Sequence, residues 1–312
     1  MPPAPPPTSA PASLPVASRV YQHHSLDSAR WNRFVARDGD IVVASSYKAG
    51  TTWVQLIVLH LLGHERPQID RISPWLEFPG IPIRWVLESL ERQTGRRVIK
   101  THLPLDGLVY HEKIHYIVVG RDTRDVFMSL WNHYQHLVPV PFLSRPYPGQ
   151  VGGPLPPCPR DIGVFWREWI TCGWFPWEQE GYPFWGNLRH TATWWQSRHL
   201  SNIHFVHFND LLIRPVDEIG RIARQIEADA SSSKVADVAN ATSFANVKRN
   251  ARDLLPGAEA TFRGGARSFI HRGTNRRWVG VLTDEDLELY SGVAGRELSP
   301  ECREWLETGR RR

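Results

Sequence analysis

The stretch from Asp40 to Leu62 limits what this chain can fold into more than any other. Asp40-Ile41-Val42-Val43-Ala44-Ser45 is a short, apolar, β-branched run of the kind that forms a strand buried on both faces. Trp53 to Leu62 is apolar and free of Gly and Pro, and is long enough for a helix. Between them lies Lys48-Ala49-Gly50-Thr51-Thr52-Trp53. A strand, a turn with Gly, Lys and two hydroxyls, and a helix start make an anion cradle. The unpaired N–H groups of a first helical turn face whatever sits there, and the helix dipole favours negative charge. Gly50 lets the backbone approach closely, Lys48 adds a mobile positive charge, and Thr51 and Thr52 add donors. On this stretch alone, a plain capped helix after a loop explains the residues equally well.

Two later segments carry the same chemistry. Arg97 to Pro104 reads as a short strand ending in Lys100-Thr101-His102 and closed by Pro104. Residues two apart on a strand project to one side, so Lys100 and His102 face one cleft. Histidine titrates near neutrality and suits a proton acceptor, although most of the chain's 14 histidines are expected to be structural. Ile114 to Val119 is strand-like, Gly120-Arg121-Asp122 turns, and Thr123 to Tyr134 is helix-like. Arg121 offers forked donors to a phosphate. The plainer alternative is that Arg121 and Asp122 cap a buried strand and that Ser129 lies on a helix face. Ile203–His207 supplies a further strand and Val216 to Ile226 a further helix. Alternating strand and helix predict an α/β fold, a central parallel sheet with helices on both faces. Ligands of such sheets bind at the carboxyl ends of the strands, where Lys48, His102 and Arg121 would lie.

The spacing differs from the common nucleotide triphosphate loop, in which Lys follows the second Gly; here Lys48 precedes Gly50. Lys-x-Gly-Thr-Thr-Trp resembles instead the 5′-phosphosulfate loop of the cytosolic sulfotransferases, which use 3′-phosphoadenosine 5′-phosphosulfate (PAPS) and leave the product PAP. Lys100-Thr101-His102-Leu103-Pro104 is similar to that family's motif holding the general base. Arg121 and Ser129, eight apart with Asp125-Val126 between them, resemble its 3′-phosphate ligands. His271-Arg272-Gly273 through Trp278 is similar to its Arg-Lys-Gly-x-x-Gly-x-Trp signature, and Thr242-Ser243-Phe244 to its adenine segment. The resemblance covers nearly everything after the N-terminal tail and implies a P-loop-like sulfotransferase fold.

The resemblance further implies that His102, Lys48, Lys100 and Ser129 are catalytic. His102 would take the acceptor's proton, Lys48 and the loop's backbone donors would stabilise the leaving phosphate oxygen, and Lys100 would orient the sulfuryl group. Lys48 through Trp53 (including Ala49), Arg121, Ser129, Phe208, Thr242, Phe244, His271, Arg272 and Gly273 would hold the donor. The chain also departs from the pattern. Ser46-Tyr47 replace Tyr-Pro, Ala49 replaces a Ser, Phe208 stands where a Tyr is usual, His271 replaces an Arg, and Arg276 takes the second Gly. Only five lysines stand against 32 arginines, yet two of the five fall in these motifs. A compact ammonium follows a bridging oxygen more readily than a planar guanidinium does.

The stretch 139–195 is different. Pro- and Gly-rich to Pro159, it then carries seven of the chain's 14 tryptophans, Trp166, Trp169, Trp174, Trp177, Trp185, Trp194 and Trp195. About half are expected in the core. Leu143 to Pro159 reads as a lid over an acceptor site, with Trp75, Phe78, Trp131, Tyr134 and Phe142 as walls. Such walls favour a phenol or another flat, apolar alcohol.

At 312 residues the chain is expected to form a single domain from 18 to 312 behind a disordered, Pro-rich tail at 1–17. The tail lacks the basic start and apolar core of a signal peptide, and no run reaches the ~18 residues of a membrane span. The three cysteines (Cys158, Cys172, Cys302) show no metal-ligand spacing, and their odd number fits a reduced, cytoplasmic setting. Positive charge, +5 overall, is scattered except between Arg263 and Arg277. That cluster coincides with the signature that would bind a polyanionic donor, so neither nucleic acid nor membrane is expected as a partner, and no metal is required. Two other readings stay open: an inactive PAP- or PAPS-binding module, and a P-loop phosphotransferase with Asp122 as a magnesium-holding acid. The family's short dimer motif is altered here, with Val279 in place of its Lys and Asp284 in place of its Val. A monomer, or a dimer through another surface, is expected. Thr283 to about Tyr290 reads as a capped helix with an acidic start.

Overall fold

The computed structural model describes residues 14–139 and 149–310. Four parallel strands form the central sheet: β1 (Ile41–Ser45), β2 (Val98–Thr101), β3 (His115–Gly120) and β4 (Ile203–His207), in the order β2-β1-β3-β4. The register pairs Ile41 with both Val98 and His115, and Gly120 with His207. All five residues of β1 are buried, as expected for a central strand without a polar side. A two-stranded antiparallel ribbon, Gln22–His23 with Leu26–Asp27, lies apart from this sheet.

Helices of nine residues or more among the described residues are α1 (Thr51–Leu61), α2 (Ile83–Glu91), α3 (Thr123–His136), α4 (Ile162–Thr171), α5 (Leu188–Gln196), α6 (Pro215–Gln225), α7 (Ser232–Ala241), α8 (Asp284–Glu297) and α9 (Pro300–Thr308). They cover both faces. Val42 and Ala44 of β1 join Phe127 and Leu130 of α3, Trp166 and Trp169 of α4, and Trp194 of α5 in one apolar cluster. Ile41 and Val43 join Val54 and Ile57 of α1 with Ile219 and Ile222 of α6 in the other. Alternation along one strand thus supplies both cores, and each fully buried Val, Leu or Ile contributes roughly 1.5–3 kcal/mol. Of the seven clustered tryptophans, Trp166, Trp169, Trp185 and Trp194 are buried.

Two contacts tie distant parts of the chain to the sheet. Arg97 and Asp40, both almost fully buried, bond at 2.5 and 2.9 Å between the starts of β2 and β1. A Cβ on Gly120 would lie 2.2 Å from the ring of Trp305, so only glycine lets α9 close over the end of β3.

α8 runs to Glu297, past the expected end near Tyr290. Gly292 and Gly295 lower helix propensity there, but burial of Val293 and Ala294 overrides it. Its start is as expected, with Thr283 as N-cap and a reciprocal bond to Asp286. Among the described residues, no helix is long and apolar enough to cross a membrane.

Candidate active site

β2 and β3 lie on opposite sides of β1, so the strand order reverses there and a crevice opens at the strands' carboxyl ends. A cavity of about 400 Å³ occupies this place. Lys48, Gly50, Thr51, Thr52, Trp53, Lys100, His102, Arg121 and Ser129 line it, together with Phe208, Thr242, Phe244 and His271, Arg272 and Gly273. Six separate segments of sequence therefore meet in one hollow.

The loop after β1 is held by backbone geometry. Lys48 is left-handed (φ 64°), and Gly50, the N-cap of α1, has φ 117°. A Cβ on Gly50 would lie 2.8 Å from the Phe208 ring, so glycine is needed twice over. A non-Gly residue with positive φ costs of order 1 kcal/mol and is common at functional sites. Thr51 Oγ shares a hydrogen with Ser45 Oγ at 2.5 Å, which turns its side chain back toward the sheet. Ala49 is buried in the core and adds nothing to the cavity wall.

Both lysines are half-buried in a cationic setting. Burial, with Lys100 and Arg121 nearby, pushes the Lys48 ammonium down to about 7. Burial likewise lowers Lys100 to about 8, against the pull of Glu77. Lys48 Nζ sits 4.0 Å over the Phe269 ring, and Lys100 Nζ 4.5 Å over Trp75. Such a pair is poised for an anion, which would restore the charge of both.

His102 follows directly on β2. Its Nδ1 lies 2.7 Å from the Ser45 carbonyl oxygen, which can only accept. Nδ1 therefore carries the proton, leaving the Nε2 lone pair, buried and without a protein partner among the described residues. Burial, reinforced by Lys100, holds the imidazole well below its usual pKa and hence neutral. Its backbone N–H donates at 2.6 Å to Glu77, a buried carboxylate that also accepts from Trp31, Trp75 and Thr101.

Arg121 bridges the first and last motifs. It donates to the carbonyls of Lys48 (3.2 Å) and Thr274 (2.9 Å) and to Asn275 Oδ1 (3.3 Å), with its guanidinium 4.1 Å over Phe208. Burial lowers it to about 10, so it stays charged at neutral pH. Arg276, where the signature has a glycine, adopts φ 62°. Burial, with Arg277 and Arg272 close by, lowers His271 to about 4. At the far end Trp53, edge-on to Phe208 at 5.3 Å, donates to the Thr242 carbonyl, and Phe244 packs against Gly273. The cavity thus has a cationic end and an aromatic end, the pattern of a phosphorylated nucleoside site.

The expected acceptor walls divide. Trp75 and Phe78 stack at 4.7 Å, and Trp75 stands 5.0 Å edge-on to His102. Trp131 packs on Phe165 of α4, and Tyr134 donates to the Pro156 carbonyl and meets Phe184. None of Trp75, Phe78, Trp131 and Tyr134 is among the residues lining the cavity itself. Phe142 lies outside the described residues, as does the start of the expected lid. Residues that sequence reasoning passed over complete the surroundings of His102: Trp185 at 5.2 Å and Tyr47 at 5.3 Å. His133, four after Ser129 on the same helix face, was also passed over, since that spacing alone does not separate it from a structural histidine. Asp122, the expected capping residue, accepts from its own helix start at Arg124 N and from the Arg124 guanidinium at 2.9 and 2.6 Å. This ion pair occupies the carboxylate that a magnesium-dependent phosphotransferase would need.

Known proteins resemble this chain along most of its length. A family model described as a sulfotransferase domain matches residues 38–299. A glycolipid sulfotransferase of Mycobacterium tuberculosis is 30% identical over 95% of this chain and 97% of its own length. Sulfotransferase 1B1 of Canis lupus familiaris is 26% identical over 86% of each chain. The crystal structure of a mouse sulfotransferase complexed with PAP superposes with a TM-score of 0.69 at 18% identity, covering 89% of this chain and 90% of that one. Retinol dehydratase with androsterone and PAP gives 0.63 at 19% identity, over 88% and 84%.

Proposed function

This chain belongs to the sulfotransferase family, and we propose that it transfers the sulfuryl group of PAPS to the hydroxyl of a phenol or another flat, apolar alcohol, with His102 as general base. The enzyme is a PAPS-dependent sulfotransferase, and the observation that carries the role of His102 is its tautomer. Held by the Ser45 carbonyl, Nδ1 keeps its proton and Nε2 keeps a lone pair with no partner among the described residues, on a side chain that lines the cavity. The acceptor's oxygen attacks sulfur in line while Nε2 takes its proton. The O–S bond to the acceptor forms as the S–O bond to the nucleotide phosphate breaks. Lys48 faces the departing oxygen, Lys100 orients the sulfuryl group, and Ser129, which lines the same cavity, is a further partner for Lys48 once the donor is bound. Arg121, Arg272 and His271 hold the 3′-phosphate, while Trp53, Phe208, Thr242 and Phe244 form the base slot. Catalysis of this kind is positioning and electrostatics.

The aromatic box of Tyr47, Trp75 and Trp185 around His102 supports the flat acceptor. A glycolipid hydroxyl is the second reading, favoured by the mycobacterial relatives of that name. We read residues 18–312 as one domain working in the cytoplasm. Val279 is half exposed and Asp284 begins a helix, which supports a monomer or a dimer through another surface. Light scattering at micromolar concentration measures this, and a dimer abolished by Asp284→Arg would overturn it.

The deciding experiment assays PAPS turnover against a phenol panel and an alkyl glycoside panel, with wild type and His102→Ala. The variant should keep PAP binding within a few-fold and lose at least ~100-fold in turnover. Near-normal turnover removes His102 from the mechanism, and preference for glycosides selects the second reading.

A further inference from the structure

We propose that His133 is a positioning residue for Lys48, locked in the required tautomer by Tyr47; this rests on the role given to Lys48 above. A lysine ammonium carries three N–H donors and no acceptor, and when buried it needs partners. The hydrogen-bond acceptor that Lys48 Nζ meets among the described residues is His133 Nδ1, at 3.4 Å. In its charged form Lys48 can only donate, so Nδ1 is then the bare nitrogen and Nε2 carries the proton. Nε2 in turn lies 2.5 Å from Tyr47 Oη, which accepts that proton's hydrogen bond. The chain runs in one direction, from Lys48 Nζ–H to His133 Nδ1 and from Nε2–H to Tyr47 Oη.

Packing keeps this chain in place. His133 is buried between Tyr47 (4.8 Å, edge-on) and Phe262 (4.6 Å). Tyr47 is pressed against Trp185 at 4.4 Å and stacked on Phe184 at 5.5 Å. Phe269 covers both His133 and the Lys48 ammonium, so Lys48 has an aromatic lid on one side and an imidazole acceptor on another. The ring of Tyr47 is also edge-on to His102 at 5.3 Å. One tyrosine is thus the common reference for the base that receives the acceptor's proton and for the lysine that meets the leaving oxygen. Tyr47 stands where the usual pattern has a proline, which lacks a hydroxyl, so this arrangement belongs to this chain's own residues. A single weak acceptor also suits a lysine that must change partners. His133 holds Nζ until the leaving oxygen develops charge, and then yields it.

The test is a double-mutant cycle between His133 and Lys48. His133→Leu keeps much of the volume and removes the acceptor, whereas His133→Asn keeps an acceptor. His133→Leu should lower kcat roughly tenfold with the acceptor KM nearly unchanged, as expected for a loss felt in the transition state. His133→Asn should recover most of that loss. In a Lys48→Met background, His133→Leu should add less than about twofold, because the two residues act as a unit. The same cycle is run on PAP affinity, which needs no acceptor and still reads Lys48 placement if the acceptor assignment is wrong. Equal losses in both backgrounds, or an Asn variant as impaired as the Leu variant, would overturn the proposal. If the Leu variant fails to fold, Tyr47→Phe replaces it in the cycle. Additive losses for Tyr47→Phe and Lys48→Met would count against the proposal in the same way.

Discussion

The carboxylate of Asp125 accepts the backbone N–H of Arg276 at 2.8 Å and that of Arg277 at 3.0 Å. Asp125 belongs to the first turn of α3, four residues after Arg121, and the two arginines belong to the basic loop that closes the cavity. One side chain therefore fixes that loop against the helix and holds Arg276 in its left-handed conformation. Backbone N–H bonds to a carboxylate are among the stronger hydrogen bonds, at about 1.5–3 kcal/mol.

Removing this clamp should free the loop without touching the nucleotide. Asp125→Ala is expected to weaken PAP by roughly tenfold or more, in line with one lost charge-assisted bond. Arg121→Ala should weaken PAP far more than adenosine 5′-phosphosulfate, which lacks the 3′-phosphate. Calorimetric titration of both ligands on both variants checks this, and equal weakening of the two ligands by Arg121→Ala would take that residue off the 3′-phosphate.

PAP binding should take up protons above neutrality. In the free enzyme Lys48 lies at about 7 and Lys100 at about 8, lowered by burial. An adjacent polyanion raises both, so at pH 8 the complex holds more protons than its separated parts. Affinity must then fall as pH rises from 7 toward the ordinary lysine value. The same shifts make the ligand-free fold gain stability as pH rises through that window, because the unfolded lysines still bind protons there. Titration at pH 8 in two buffers of different ionisation enthalpy measures the uptake. Lys48→Met should reduce it, and proton release would contradict the assignment.

The Arg97–Asp40 pair predicts a large effect far from the chemistry. Both side chains are almost fully buried, and Arg97 also donates to the Val35 carbonyl. Asp40→Ala would leave the buried guanidinium with only the exposed carboxylate of Glu91, at 3.2 Å, as its charge partner, at a cost of about 3 kcal/mol. Denaturant unfolding should show this loss. A change below about 1 kcal/mol would indicate that water reaches the site.

The sequence by itself determined the parts of this protein that depend on local spacing. A short β-branched run followed by a Gly-containing turn favours a buried strand, so β1 was legible, and with it the Gly50 turn and the start of α1. Two-residue alternation placed Lys100 and His102 on one side, and the order of segments implied a parallel sheet with its cavity at the carboxyl ends. Only the tertiary structure decided which polar side chains meet. Tyr47 and His133 are 86 residues apart, and Glu77 gathers donors from Trp31, Trp75, Thr101 and His102. No local pattern marks a lone His on a helix or a lone Glu in a loop, because the partner that makes each informative arrives from elsewhere in the chain. The aromatic residues show the same limit. Trp75 stands beside His102 whereas Trp131 packs on Phe165. An aromatic side chain fills core and pocket wall equally well, and only the packing of the neighbouring elements determines which of the two it does.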